Sequence, residues 1–163
     1  GAEVVFIHGR SKNGLFSGKI HYNIMKKIKE NVNIPVIGNG GIKSVEDARI
    51  MLNKSDCDGL MIGMGAMGKP WLFREIASIF EKEDQEAIQE ITQEIKEICK
   101  IILKHGELAE TWNGVKRLIP FRKHLLWYSK GWPCSAALRR ELVKITEMKE
   151  LKKVLEDYVN IYG

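Results

Sequence analysis

The pattern of apolar and polar positions changes character about halfway along the chain. In the first half, Val4-Val5-Phe6-Ile7, Val36-Ile37-Gly38 and Leu60-Met61-Ile62 are short continuous apolar runs. Runs without period-two alternation predict strands buried on both faces. Between the first two, His21 to Asn31 places Ile24, Met25 and Ile28 on one helical stripe. A second helix follows Ser44, carrying Val45, Ala48, Ile50, Met51 and Leu52. Ser44 stands at its N-cap, with Asp47 at N3 in a capping-box-like arrangement. The order strand, helix, strand, helix, strand predicts parallel pairing through helical crossovers.

After Trp71 the strand pattern stops. Trp71 to Phe80 reads as a short helix and Glu81 to Asp84 as an acidic connector. Isoleucines at 88, 91, 95, 98 and 102 predict a long amphipathic helix from Gln85 to His105, ended by Gly106. Further helices are expected over 114–130, 135–146 and 148–162. The predicted fold class is therefore α/β followed by all-α. Residues 1–82 form three βα units and residues 83–163 a helical bundle.

Chemistry concentrates where the strands end. His8-Gly9-Arg10, Asn39-Gly40-Gly41 and Gly63-Met64-Gly65 all lie at carboxyl ends of predicted parallel strands, where such folds bind ligands. Glycines there permit tight turns and leave amides free to face an anion. One such turn is ordinary βα geometry; two in succession point to a phosphate-bearing ligand. Asn39 adds side-chain hydrogen bonds. His8 suits a flat heterocycle, although a single His at a strand end is as readily structural, and Arg10 suits an anionic substrate. Asp56 and Asp58 precede the third strand, at the opposite end, and read as turn residues. No spacing suggests a Ser-His-Asp or Cys-His arrangement.

Charge is unevenly placed along the chain. Residues 1–99 carry 13 Lys and Arg against 14 Asp and Glu, whereas residues 100–163 carry 13 against 7. A basic helical part suits a polyanion or a solvated surface. Between Lys116 and Gly131, cations stand among Phe121, Trp127 and Tyr128, a mixture suited to RNA. It equally describes a helix with Leu118, Leu125, Leu126 and Trp127 inside and its cations solvated. Cys57, Cys99 and Cys134 lack metal-ligand spacing and read as reduced thiols, two of them in the core. No apolar run approaches a membrane span and no signal-peptide pattern is visible, so a cytoplasmic setting is the expectation.

These residues resemble the tRNA-dihydrouridine synthases over the whole chain. The resemblance rests on His8-Gly9-Arg10 with Phe16-Ser17-Gly18, on Pro35-Val36-Ile37-Gly38-Asn39-Gly40, and on Met61-Ile62-Gly63 with Gly68-Lys69-Pro70-Trp71-Leu72-Phe73. Its most discriminating piece is Arg122-Lys123-His124-Leu125-Leu126-Trp127-Tyr128-Ser129-Lys130-Gly131 followed by Leu138-Arg139. It implies the last three βα units of an FMN-binding TIM barrel, then a helical tRNA-binding domain. It further implies NADPH-dependent reduction of a uracil C5–C6 double bond in tRNA. His8 would lie against the flavin ring, and Asn39, Gly40, Gly41, Gly63 and Met64 would hold the FMN phosphate. Arg10, Arg122, Lys123, Lys130 and Arg139 would hold tRNA.

Three departures accompany the resemblance. Gly41 stands where the family pattern has Asp. Met64 stands where it has Arg, which removes a cation beside the phosphate. The chain also supplies three strands of a barrel that takes eight and roughly 250 residues. The family's cysteine acid belongs to the absent N-terminal half, so no catalytic residue and no metal ligand is expected here, and the isolated chain is expected to be inactive. Two other readings stay open: a dihydroorotate-dehydrogenase-like flavoenzyme, favoured by Gly40-Gly41, and a non-catalytic RNA-binding module with a remnant half barrel.

Overall fold

The computed structural model describes residues 1–11, 18–81, 94–113 and 118–163. Parts of the loop from Ser11 to Gly18, most of the Glu81 connector, the start of the helix expected from Gln85 and the start of that expected from Gly114 lie outside these residues. So does the boundary expected near residue 82. The chain forms two compact units, Gly1–Ile88 and Gln89–Gly163.

The first unit is built on a parallel three-stranded sheet in the order β1-β2-β3. Strands β1 (Val5–His8), β2 (Val36–Asn39) and β3 (Gly59–Met61) alternate with helices α1 (Tyr22–Glu30) and α2 (Val45–Ser55), and α3 (Leu72–Glu81) follows. Their register aligns His8 with Asn39 and Asn39 with Met61, so one rung closes the carboxyl end of all three strands. Ser44 caps α2 by accepting from the Asp47 N–H at 3.1 Å. The Asp47 carboxylate accepts from the Lys43 N–H at 3.0 Å, one residue upstream of a strict capping box.

The helices cover one face of this sheet. Met25 of α1, Met51 of α2, and Leu72 and Ile76 of α3 pack with Val36, Ile42 and Cys57 in a buried cluster. The expectation that the strands are buried on both faces fails. Phe6 is 59% exposed and Met61 48% exposed on the opposite face, which no described element covers. At the other end of the sheet, Asp58 accepts from the Val36 N–H at 2.7 Å and pairs with Lys29 at 2.8 Å. Asp56 ends α2 in a left-handed conformation. Both acids are thus turn residues, and the lysine holds the Asp58 carboxyl below its ordinary value.

The second unit consists, among its described residues, of α4 (Ile95–Asn113), α5 (Arg122–Tyr128), α6 (Ser135–Leu142) and α7 (Met148–Tyr162). Gly106 does not stop α4, which runs on for seven residues past it. A Cβ there would lie 2.8 Å from Met148 Sδ and 3.3 Å from Leu151 Cδ2. The glycine therefore serves close packing of α4 on α7, at a propensity cost of about 1 kcal/mol relative to Ala. Glu147 and Glu150 form a reciprocal capping box that starts α7. Cys57 and Cys99 are buried and Cys134 is exposed. No helix among the described residues is long and apolar enough to cross a membrane.

A ring cluster fills the junction of α4 and α5. His105 packs edge-on against Phe121 at 4.7 Å and against His124 at 4.9 Å, and its Nδ1 lies 3.1 Å from the Tyr128 hydroxyl. Desolvation holds His105 below its ordinary pKa. Desolvation also lowers His124, helped by His105 and then Lys123. Burial pushes Tyr128 up to about 12, so it stays neutral. The folded state thus favours neutral imidazoles, while the unfolded chain takes up protons below about pH 6.5. This contribution is complete above that pH and is lost as pH falls through it towards the folded values. The melting temperature of the second unit should drop between about pH 7 and pH 5. The double variant His105→Gln/His124→Gln should flatten that slope; an unchanged slope in circular-dichroism melts would refute the assignment.

Candidate cofactor and RNA sites

The carboxyl-end rung opens into a cleft of about 270 Å³. His8, Arg10, Asn39, Gly40, Gly41, Gly63 and Met64 all line it. The structure therefore brings together every residue that the sequence assigned to the cofactor, with Arg10 beside them.

Two turns shape the walls. Gly40 and Gly41 have φ of 120° and 75°, a region that costs any residue with a Cβ. A Cβ at Gly41 would also lie 2.9 Å from an Arg10 guanidinium nitrogen and 2.7 Å from Ile20 Cδ1. A side chain at position 41 is thus strained by its backbone and requires the flexible ends of Arg10 and Ile20 to move. The turn after β3 presses still closer: a Cβ at Gly65 would lie 1.9 Å from the Ile42 carbonyl oxygen. Among the described residues, the Gly41 and Gly63 amides donate no hydrogen bond.

The polar side chains are partly committed. Arg10 donates from Nε to the Gly18 carbonyl at 2.7 Å, which anchors its stem. Asn39 donates to the Met61 carbonyl at 2.7 Å and so ties β2 to β3 while keeping its own carbonyl and one N–H. The Arg10 N–H reaches His8 Nδ1 at 3.2 Å. The same nitrogen lies 3.4 Å from the Arg10 carbonyl oxygen, so Nδ1 has a partner in either tautomer. His8 Nε2 lies 3.6 Å from the Cβ direction of Gly40, so that edge of the ring stands over the glycine turn. Met64 is 60% exposed at the rim.

Lys43 also lines this cleft, and sequence reasoning missed it. The available signal was its place, two residues beyond the Gly40-Gly41 turn and one before the helix cap. No carboxylate and no cysteine line the cleft among the described residues. None of them group as metal ligands either. Glycine amides and unopposed cations suit a phosphate monoester.

In the second unit the basic residues divide by role. Arg122 donates to the Ile145 and Lys144 carbonyls at 2.7 and 2.9 Å. Arg139 donates to Ser129 Oγ and to the Leu126 carbonyl, both at 3.2 Å. Both arginines therefore hold helix ends together. Lys123 and Lys130 are exposed. Among the described residues neither forms an ion pair. Phe121 and Tyr128 are core residues, 3% and 5% exposed, so their rings offer no stacking face. Trp127 is half-buried edge-on to His124. Among the described residues of this unit the most exposed aromatic is Trp112 near the end of α4, 87% exposed, which the sequence pattern did not single out.

The variant Gly65→Ala should cost the first unit about 1–3 kcal/mol in urea unfolding, because backbone must move. Met64→Ala, in the same turn, should stay within about 0.5 kcal/mol. Equal effects would sink the close-approach argument. Arg139→Ala should cost the second unit about 1.5–3 kcal/mol, as for hydrogen bonds from a charged donor. If Arg139→Ala melts like the parent chain, the guanidinium is not a strut.

The comparisons accord with this geometry. The family model described as "Dihydrouridine synthase" matches residues 1–161. The tRNA-dihydrouridine synthase B of Pasteurella multocida (strain Pm70) is 35% identical over 162 residues, which is 99% of this chain and 48% of that protein. A probable tRNA-dihydrouridine synthase of Rickettsia typhi is 34% identical over 163 residues, 99% of this chain and 49% of the relative. One from Mycobacterium tuberculosis (strain CDC 1551 / Oshkosh) is 35% identical over 158 residues, 96% and 40% respectively. The chain spans about half the length of these curated relatives. From its first strand to its last helix, this chain belongs to the dihydrouridine synthase family.

Proposed function

We propose that this chain is the C-terminal portion of an FMN- and NADPH-dependent tRNA-dihydrouridine synthase. It would supply the phosphate end of the flavin site and part of the tRNA-binding surface. The observation that carries this reading is the cleft at the strand ends, which holds glycine amides and cations and no described carboxylate. When bound and reduced by NADPH, FMN supplies hydride to the uracil C5–C6 double bond.

The chain's own residues bind and orient. The Gly40-Gly41 and Gly63-Met64 turns hold the phosphate through backbone amides. Asn39 fixes the wall between them. The Nε2 edge of His8 would hydrogen-bond the flavin ring and orient the heterocycle. Lys123 and Lys130 hold tRNA phosphates, with Arg10 facing the anionic substrate. Arg122 and Arg139 contribute mainly by fixing the helices beneath. The acid that protonates the uracil comes from the N-terminal half of the barrel, since no cysteine lines the described cleft. The isolated chain is then inactive.

Titrating FMN into the 163-residue chain, alone and co-expressed with the N-terminal half of a related synthase, tests this reading. Flavin fluorescence should saturate only with the partner half present, and uridine reduction should appear only in that sample. Saturable binding by the chain alone would show that the glycine turns suffice. Binding of tRNA with no flavin in either sample would favour a non-catalytic RNA-binding module. Flavin binding without affinity for RNA would favour another flavin oxidoreductase.

A further inference from the structure

We propose that Lys43 is the cation that makes this cleft select a phosphate-bearing ligand over its dephosphorylated form. The proposal rests on the flavin reading given under Proposed function and adds a specificity residue to it.

Three observations converge on this side chain. First, Lys43 and Arg10 are the cations lining the cleft among the described residues. Arg10 is already anchored through Nε to the Gly18 carbonyl and lies against Gly41. The Lys43 ammonium forms no ion pair among the described residues. Second, no acid lines the cleft among the described residues: Asp47 accepts from the Lys43 backbone N–H at 3.0 Å but lies outside the lining. Third, the tight passage of the two turns puts Lys43 beside the β3 loop. The Cβ direction of Gly65 points to Lys43 Cα at 3.1 Å. Lys43 thus flanks Met64, the position whose side chain brings no charge to the rim.

The physical consequence follows from geometry. Backbone amides hydrogen-bond a phosphate but carry only partial charge, whereas an ammonium gives charge-assisted bonds roughly twice as strong. A flexible lysine stem can reach the anion as a point charge without the planar fit that a guanidinium needs. The cation therefore enters from the β2 loop, one residue before the α2 cap, and the Met64 side of the rim stays neutral. Dephospho-flavin presents no charge to Lys43 and gains nothing from it.

The test uses the nitrogen-15-labelled chain assembled with the unlabelled N-terminal half of a related synthase, reading the Gly40, Gly41 and Gly63 amide signals. The probes are inorganic phosphate, FMN and riboflavin, and the variants are Lys43→Ala and Lys43→Arg. Phosphate should shift all three signals, and FMN should bind about tenfold or more tightly than riboflavin. Lys43→Ala should abolish most of that preference and weaken phosphate to the same degree; Lys43→Arg should restore both. If Lys43→Ala keeps the FMN-to-riboflavin ratio and the phosphate affinity, the proposal is wrong. Absence of any phosphate shift in the parent assembly, or equal binding of FMN and riboflavin by it, also overturns it. Lys43-dependent phosphate binding, with neither flavin binding more tightly than phosphate, would uphold the anion role of Lys43 and defeat the flavin reading.

Discussion

Where the turn after β3 crosses the turn after β2, the Gly65 backbone lies so near the Ile42 carbonyl that no side chain fits between them. Much of the first unit's functional geometry depends on that crossing. Ile42 is itself 4% exposed and belongs to the helix-side core, so the crossing is clamped from below. With the crossing in place, the two glycine turns become walls of one cleft. Their amides, the His8 edge and two cations share a single volume. Register does the complementary work, because the His8, Asn39 and Met61 rung sets all three strand ends level. Asp58 secures the far end of the sheet through the Val36 amide and Lys29, so its carboxylate is taken up by the fold.

The second unit shows a different use of polar groups. Its guanidiniums bind carbonyls at the ends of short helices, where several acceptors lack an intrahelical partner. Arg122 reaches the turn after α6, and Arg139 reaches the last turn of α5. The net positive charge of this part thus has two components. One maintains helix packing, and the other, including Lys123 and Lys130, is exposed. A mutational survey by charge alone would confuse them.

Much of the architecture was legible because its signals are local. The strand and helix order follows from short apolar runs alternating with 3.6-period stretches, and Ser44 and Asp47 mark the α2 start from four residues of sequence. The cleft residues were legible because parallel strands put their ligands at carboxyl ends, and the glycine turns are there. What was not legible depends on partners distant in the chain. Gly106 reads as a stop until Met148 and Leu151 are seen against it. Phe6 reads as buried until the sheet face is found uncovered among the described residues. Arg122 and Arg139 read as free cations until their carbonyl acceptors come into place. Lys43 carries no local signal of its own, and its place on the cleft depends on the β3 loop folding beside it.

The uncovered face of the sheet has a consequence beyond its own residues. β1 is an edge strand, with Phe6 turned away from the helices. A separate molecule that covered that edge and ring would bind the folded form and not the unfolded chain. Mass action would then make the unit's apparent stability depend on how much of that molecule is present. Folding and encounter would become one coupled equilibrium with a bimolecular order, in which dilution weakens the fold as heat does.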